Sequence, residues 1–152
     1  MAKLIELIDL PPVWLVACIA AAWALANHAP VLGVALPFQE VAGWTLIVLG
    51  AALMVYSIAA FWRFKTSVIP RQTPSALIDQ GPYRISRNPI YLADLLILAG
   101  IVLLLGALSA LVTVPMFWAA IHYRFILPEE TVLKETFGAA YETYCASVRR
   151  WL

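Results

Sequence analysis

Charge is what this chain has least of. Asp, Glu, Lys and Arg make up 12% of its 152 residues, against 63% hydrophobic residues and a mean hydropathy of +0.86. A soluble domain carries about 25% charged and about 45–50% apolar residues, so the surroundings implied are lipid. A net charge of +1 also gives no bulk attraction to nucleic acid. Cysteine is equally sparse. Cys18 and Cys145 lie in different apolar segments without metal-ligand spacing, which predicts packing residues and neither a disulfide nor a metal site. Internal repeats and low-complexity segments are lacking too.

Long apolar runs are what the chain has in excess. Four segments, at about 12–27, 41–62, 90–105 and 108–127, approach the roughly 20 apolar residues that a bilayer crossing takes. The fold class expected is an all-α integral membrane bundle of four transmembrane helices, followed by an amphipathic C-terminal helix over 128–152. One domain then covers 1–152: two N-terminal helices in 1–63, a polar loop in 64–89, a helical hairpin in 90–127 and the last helix. Pro115, near the middle of the fourth segment, predicts a kink. Ala24-Leu25-Ala26 looks like a signal cleavage site. The residues before the first apolar run, however, include Glu6 and Asp9 beside a single Lys3, whereas a signal begins with a basic region. The segment is therefore read as an uncleaved helix.

All ten Lys and Arg residues avoid the connections at 28–40 and 106–109. Basic residues collect on the cytoplasmic side of membrane proteins, which predicts both termini and the 64–89 loop inside, in a bacterial-type inner membrane.

Two polar stretches then face the same side. "GPYRISRNPIY" (81–91) enters the third segment and "HYRFILPEE" (122–130) leaves the fourth. The hairpin between them brings their open ends together, so Tyr83, Arg84, Arg87, Asn88 and Tyr91 are expected to meet His122, Arg124, Glu129 and Glu130 in a pocket between lipid and water. Asp94, about one turn inside the third helix, is a functional candidate because intramembrane carboxylates are costly; its bland alternative is a partner for Arg84 or Arg87. From Pro128 onward, Leu133, Phe137, Tyr141, Tyr144 and Val148 recur at helical spacing. They predict an amphipathic helix that starts at Pro128, breaks at Gly138, and lies on the membrane or folds over the bundle.

The ordered combination of Gly81 and Tyr83, then Arg87, Pro89 and Tyr91, then Glu129 and Glu130, then Phe137, Gly138, Tyr141 and Tyr144 resembles the isoprenylcysteine carboxyl methyltransferase and phospholipid N-methyltransferase superfamily. The likeness spans the C-terminal half. It implies a membrane methyltransferase that uses S-adenosylmethionine on the cytoplasmic face, with the cofactor held by Ser75, Ala76, Leu77, Ile78, Tyr83, Asn88, Pro89, Ile90, Tyr91 and Glu129, and with Glu130 beside them. The family's histidine is Asn88 here, which can position but cannot titrate. The family's substrate-binding arginine falls at Phe125; a small bulge would bring Arg124 into its place. Arg124, Arg87 and Asp94 are the candidate catalytic residues. The acceptor implied is a small lipophilic carboxylate, thiol or lipid amine, in contact with membrane lipids, and a bundle this small is compatible with a homodimer. A related NADPH-dependent reductase and a non-enzymatic lipid-binding protein are the alternatives. The acidic pair would repel a 2′-phosphate, and a passive protein leaves the arginine box (the 81–91 stretch) and the glutamates without a shared purpose.

Overall fold

The structure, a computed structural model, describes residues 9–29, 33, 37–66 and 74–152. Lys3, Glu6 and Arg71 lie outside the described residues. Helix α1 (Pro11–His28) opens on two prolines, whose missing N–H groups cost nothing in a first turn. Helix α2 (Gln39–Phe64) has 26 residues, and α3 (Pro89–Leu105) has 17 and ends on Gly106 in the left-handed conformation. A 3₁₀ turn (Leu108–Val112) leads into α4 (Thr113–Ile121), a π-helical turn (His122–Ile126), α5 (Leu127–Phe137) and α6 (Ala139–Ser147). The chain is an all-α membrane helical bundle. Pro11–His28, Gln39–Phe64 and the continuous run Leu108–Phe137 are long and apolar enough to cross a membrane. At about 1.5 Å per residue, α3 reaches the short end of a bilayer span.

One proline expectation is corrected and another is refined. Pro115 does not kink the middle of a helix. The 3₁₀ turn before it makes it the third residue of α4, where a proline is tolerated. Pro128 stands in the first turn of α5, as expected, although α5 continues the preceding run without a break. The Leu127 N–H bonds to the His122 carbonyl five residues back, and this widened turn accommodates the ring that would otherwise press on the preceding turn. The expected break at Gly138 is present. Its φ of 50° with ψ of −124° is a conformation open essentially to glycine alone.

Helices α2 and α3 pack antiparallel through small residues. Gly43, Gly50 and Ser57, seven apart on α2, are buried, and face Ala93 and Gly100, seven apart on α3. A Cβ on Gly100 would stand 2.6 Å from the Gly43 carbonyl, and one on Gly50 would stand 2.8 Å from the Ala93 carbonyl. Close approach of this kind is how helices associate where lipid removes the hydrophobic drive. The remaining core joins Ala22 of α1, Leu98 and Val102 of α3, and Phe117, Ile121, Phe125 and Ile126 of the last run. Trp44, Val48, Val55 and Trp62 of α2 stay exposed, as a lipid-facing side requires.

The bundle has two unlike ends. At one, Gly33 bridges to Ala107 and the Ser109 hydroxyl donates to the Leu25 carbonyl. At the other lie eight of the ten basic residues, all but the undescribed Lys3 and Arg71.

Candidate active site

Asn88, at φ −129° and ψ 55°, turns the chain into α3, because a residue before proline is driven out of the helical region. Tyr91 and Asp94 follow at a three-residue spacing and so share one face of α3. That face borders a cavity of about 650 Å³ at the basic end of the bundle, closed on the opposite side by Glu129, Val132 and Leu133 of α5. The Tyr91 hydroxyl donates to Glu129 Oε1 at 2.7 Å. The "GPYRISRNPIY" and "PEE" stretches therefore meet across the cavity.

Most of the expected cofactor residues line this space: Ala76, Leu77 and Ile78 from the loop, Tyr83, Asn88, Ile90 and Tyr91, and both glutamates. Arg87 and Asp94 join them. Ser75 does not; it is exposed and its hydroxyl donates to the Lys65 carbonyl. Pro89 is fully buried beneath the wall. Tyr83 packs edge-on to Phe61 at 5.8 Å, and its carbonyl accepts the Tyr144 hydroxyl at 2.6 Å. Burial, then the neighbouring Tyr144 and Glu129, push the Tyr83 phenol up, so it stays neutral at physiological pH.

Glu130 sits in a guanidinium clamp. Arg150 donates to both of its oxygens, at 2.8 and 2.7 Å, and Arg87 Nη2 lies 3.4 Å away. The other Arg87 terminal nitrogen meets Cys145 Sγ. The hydrogen bond to Glu130 keeps Arg150 firmly charged. The C-terminal tail carries Arg150 there by pairing with the arginine box: the Arg87 N–H donates to the Arg149 carbonyl at 2.9 Å, and the Ser86 hydroxyl and Asn88 amide donate to the Arg150 carbonyl. Tyr141, Tyr144 and Val148 close the arrangement by packing on Leu77, Leu133 and Phe137. The last helix thus lies against the loop that carries Leu77.

Three expected members stand elsewhere. Arg84, His122 and Arg124 do not line the cavity. His122 stacks on Trp118 at 5.0 Å, and its buried Nδ1 has no hydrogen-bond partner among the described residues. Arg124 pairs with Asp9 at 2.5 Å and lies over the Trp14 ring. The bulge expected at this point exists as the π-helical turn, but it sends Phe125 into the core, 1% exposed, and turns Arg124 outward. Asp94 is corrected as well. It is not a partner for Arg84 or Arg87, because Arg87 is engaged by Glu130; among the described residues Asp94 makes no hydrogen bond or ion pair, although only 4% exposed. Arg150, Ser86 and the apolar wall of Leu10, Pro12, Met54 and Ile58 are what sequence reasoning missed.

A carboxylate anchored by a phenol, a second buried carboxylate, two aromatic rings and an apolar wall suit a cationic ligand that also carries hydroxyls and a flat apolar part. A sequence model of phospholipid methyltransferases matches residues 38–140, just over two thirds of the chain. The chain belongs to the phospholipid methyltransferase family. It is a membrane methyltransferase, within the superfamily that includes the isoprenylcysteine carboxyl methyltransferases. No curated protein matches the chain. In this methyltransferase the family match takes in α2, the arginine box and Glu129, while Asp9 and the Arg149–Arg150 tail lie outside it.

Proposed function

We propose that this methyltransferase transfers the methyl group of S-adenosylmethionine to a small lipophilic acceptor at the cytoplasmic face of the membrane. The observation that carries the reading is the Tyr91–Glu129 hydrogen bond, which holds a carboxylate inside a cavity large enough for a nucleoside with an amino-acid arm. The donor set fits the cofactor: Glu129 has oxygen lone pairs for ribose hydroxyls, Leu77, Ile78 and Leu133 offer an apolar surface to adenine, and Tyr83 and Tyr91 present aromatic faces to a cation. When bound, S-adenosylmethionine supplies an electrophilic methyl group on a sulfonium sulfur. Tyr91 orients Glu129, Tyr144 fixes the loop that carries Tyr83, and the folded-over α6 keeps water from the reacting groups. Methyl transfer is an in-line displacement, so the chain's contribution is chiefly positioning. Arg124, held by Asp9 next to the Leu10–Pro12 wall, stands outside the cavity as a cation open to the polar end of an acceptor arriving from lipid. Clustering of the basic residues at the cavity end supports a cytoplasmic site with both termini inside.

Calorimetric titration in detergent tests the reading. Wild type should bind S-adenosylmethionine and not NADPH. Glu129→Gln should bind it roughly ten- to a hundredfold more weakly, the loss of a hydrogen bond to a charged group. Glu135→Gln, exposed on the same helix, should bind as wild type does. A folded Glu129→Gln protein with unchanged affinity, or preferential NADPH binding, overturns the proposal.

A further inference from the structure

The cavity holds three carboxylates in different states. Glu130 is neutralised by Arg150 and Arg87. Glu129 accepts the Tyr91 hydroxyl. Asp94 alone lines the cavity without a hydrogen bond or ion pair among the described residues, with 96% of its surface covered. A buried carboxylate without a partner is costly, and such groups persist where something else compensates them. Asp94 lies three residues beyond Tyr91, one helical turn deeper on the same face of α3, and lines the same cavity as Glu129. Ala93 is fully buried against α2, which fixes the backbone beside it. Asp94 also lies outside the motif residues on which the family likeness rests.

We infer that Asp94 is a specificity-determining residue that binds the positive sulfonium of the cofactor and so distinguishes S-adenosylmethionine from its demethylated product. This rests on the cofactor reading above. A sulfonium has no N–H or O–H to donate, so its partner must act by charge alone, which matches a carboxylate with no donor in contact. Transfer of the methyl group to the acceptor's lone pair leaves the carbon–sulfur bonding pair on sulfur and turns the sulfonium into a neutral thioether. The attraction then vanishes, Asp94 is again uncompensated, and S-adenosylhomocysteine is the ligand the site holds less well. One buried charge thereby favours both loading and release.

The test is calorimetric titration of wild type, Asp94→Asn and Asp94→Ser with S-adenosylmethionine and with S-adenosylhomocysteine, which keeps the ammonium, carboxylate and ribose but lacks the sulfonium charge. In both variants affinity for S-adenosylmethionine should fall on the order of ten- to a hundredfold, as loss of a close charge pair in a partly buried site implies. Affinity for S-adenosylhomocysteine should stay within about twofold. Thermal unfolding of Asp94→Asn should be no lower than wild type, because the shape is kept and a buried charge is removed. Equal losses for both ligands would assign Asp94 to the ammonium group or to folding, and unchanged affinity for both would assign it no part in binding the cofactor; either overturns the inference while leaving the cofactor reading intact. Failure of wild type to bind S-adenosylmethionine would instead remove the cofactor reading itself.

Discussion

The Tyr91 hydroxyl and Glu129 Oε1 stand 2.7 Å apart although 38 residues separate them. That bond joins the first turn of α3 to the first turn of α5, and its position on the cavity wall makes it both a tertiary tie and a way of orienting a carboxylate. Tyr91→Phe keeps the ring and removes the donor. Glu129 then loses its phenol partner, and affinity for S-adenosylmethionine should fall about three- to tenfold, less than for Glu129→Gln, because the carboxylate that meets the ligand remains and only its positioning is lost. The double variant should lose less than the sum of the two, as residues in one network do. Additive losses in the titration would mean that the two side chains act separately.

Glu130, the neighbouring residue, has a different task. Its two oxygens are taken by Arg150, which predicts a contribution to stability. Arg150→Ala should destabilise the protein by about 1–2 kcal/mol, below the figure for a fully buried pair because the Arg150 side chain is 36% exposed. Glu130→Gln should cost a similar amount, and the double variant little more. Denaturant unfolding in detergent measures all three. A neutral Arg150→Ala would show that the tail is held by its backbone bonds to Ser86, Arg87 and Asn88 alone.

The four apolar segments were legible in the sequence because lipid demands uninterrupted hydrophobic length; the first three recur within a few residues, while the fourth opens at Leu108 and runs on to Phe137. The meeting of the arginine box with the glutamates was legible too, since a hairpin must bring its ends together. What composition could not convey was the third partner. Asn88 and Arg150 are 62 residues apart, and no periodicity links a tail to a loop at that distance. Pro128 marked the start of α5 correctly but not its continuity with the preceding run. Proline ends a regular α-helix, but a π-helical turn from His122 to Ile126 absorbs it, and only the backbone reveals that turn. The same turn decides the fate of Arg124, which one residue of rotation sends outward to Asp9.

Contact between α2 and α3 sets how far the cavity can open, so its glycines are sensitive. Gly100→Ala would bring a methyl group to 2.6 Å from the Gly43 carbonyl, a backbone atom that cannot swing aside. Overpacking of this kind costs about 1–3 kcal/mol. Gly33→Ala is the control, because nothing lies within 4 Å of a Cβ there. Thermal unfolding should separate the two variants clearly; equal melting temperatures would mean that the helices part without penalty.

Orientation in the membrane is open to direct measurement. Gln80 is exposed at the cavity end and Gly33 is exposed at the other, so single cysteines at these positions report opposite sides. Cys18 and Cys145 are first replaced by alanine. With the eight described basic residues at the cavity end, the positive-inside tendency predicts that Gln80 faces the cytoplasm. A membrane-impermeant maleimide applied to intact cells should label Gly33→Cys and leave Gln80→Cys unlabelled until the cells are opened. The cavity would then draw its cofactor from the cytoplasm, where S-adenosylmethionine is made, and its acceptor from the adjoining leaflet. Labelling of position 80 from outside would invert the bundle and place Glu129 and Asp94 on the far side of the membrane, with no supply of cofactor to the site.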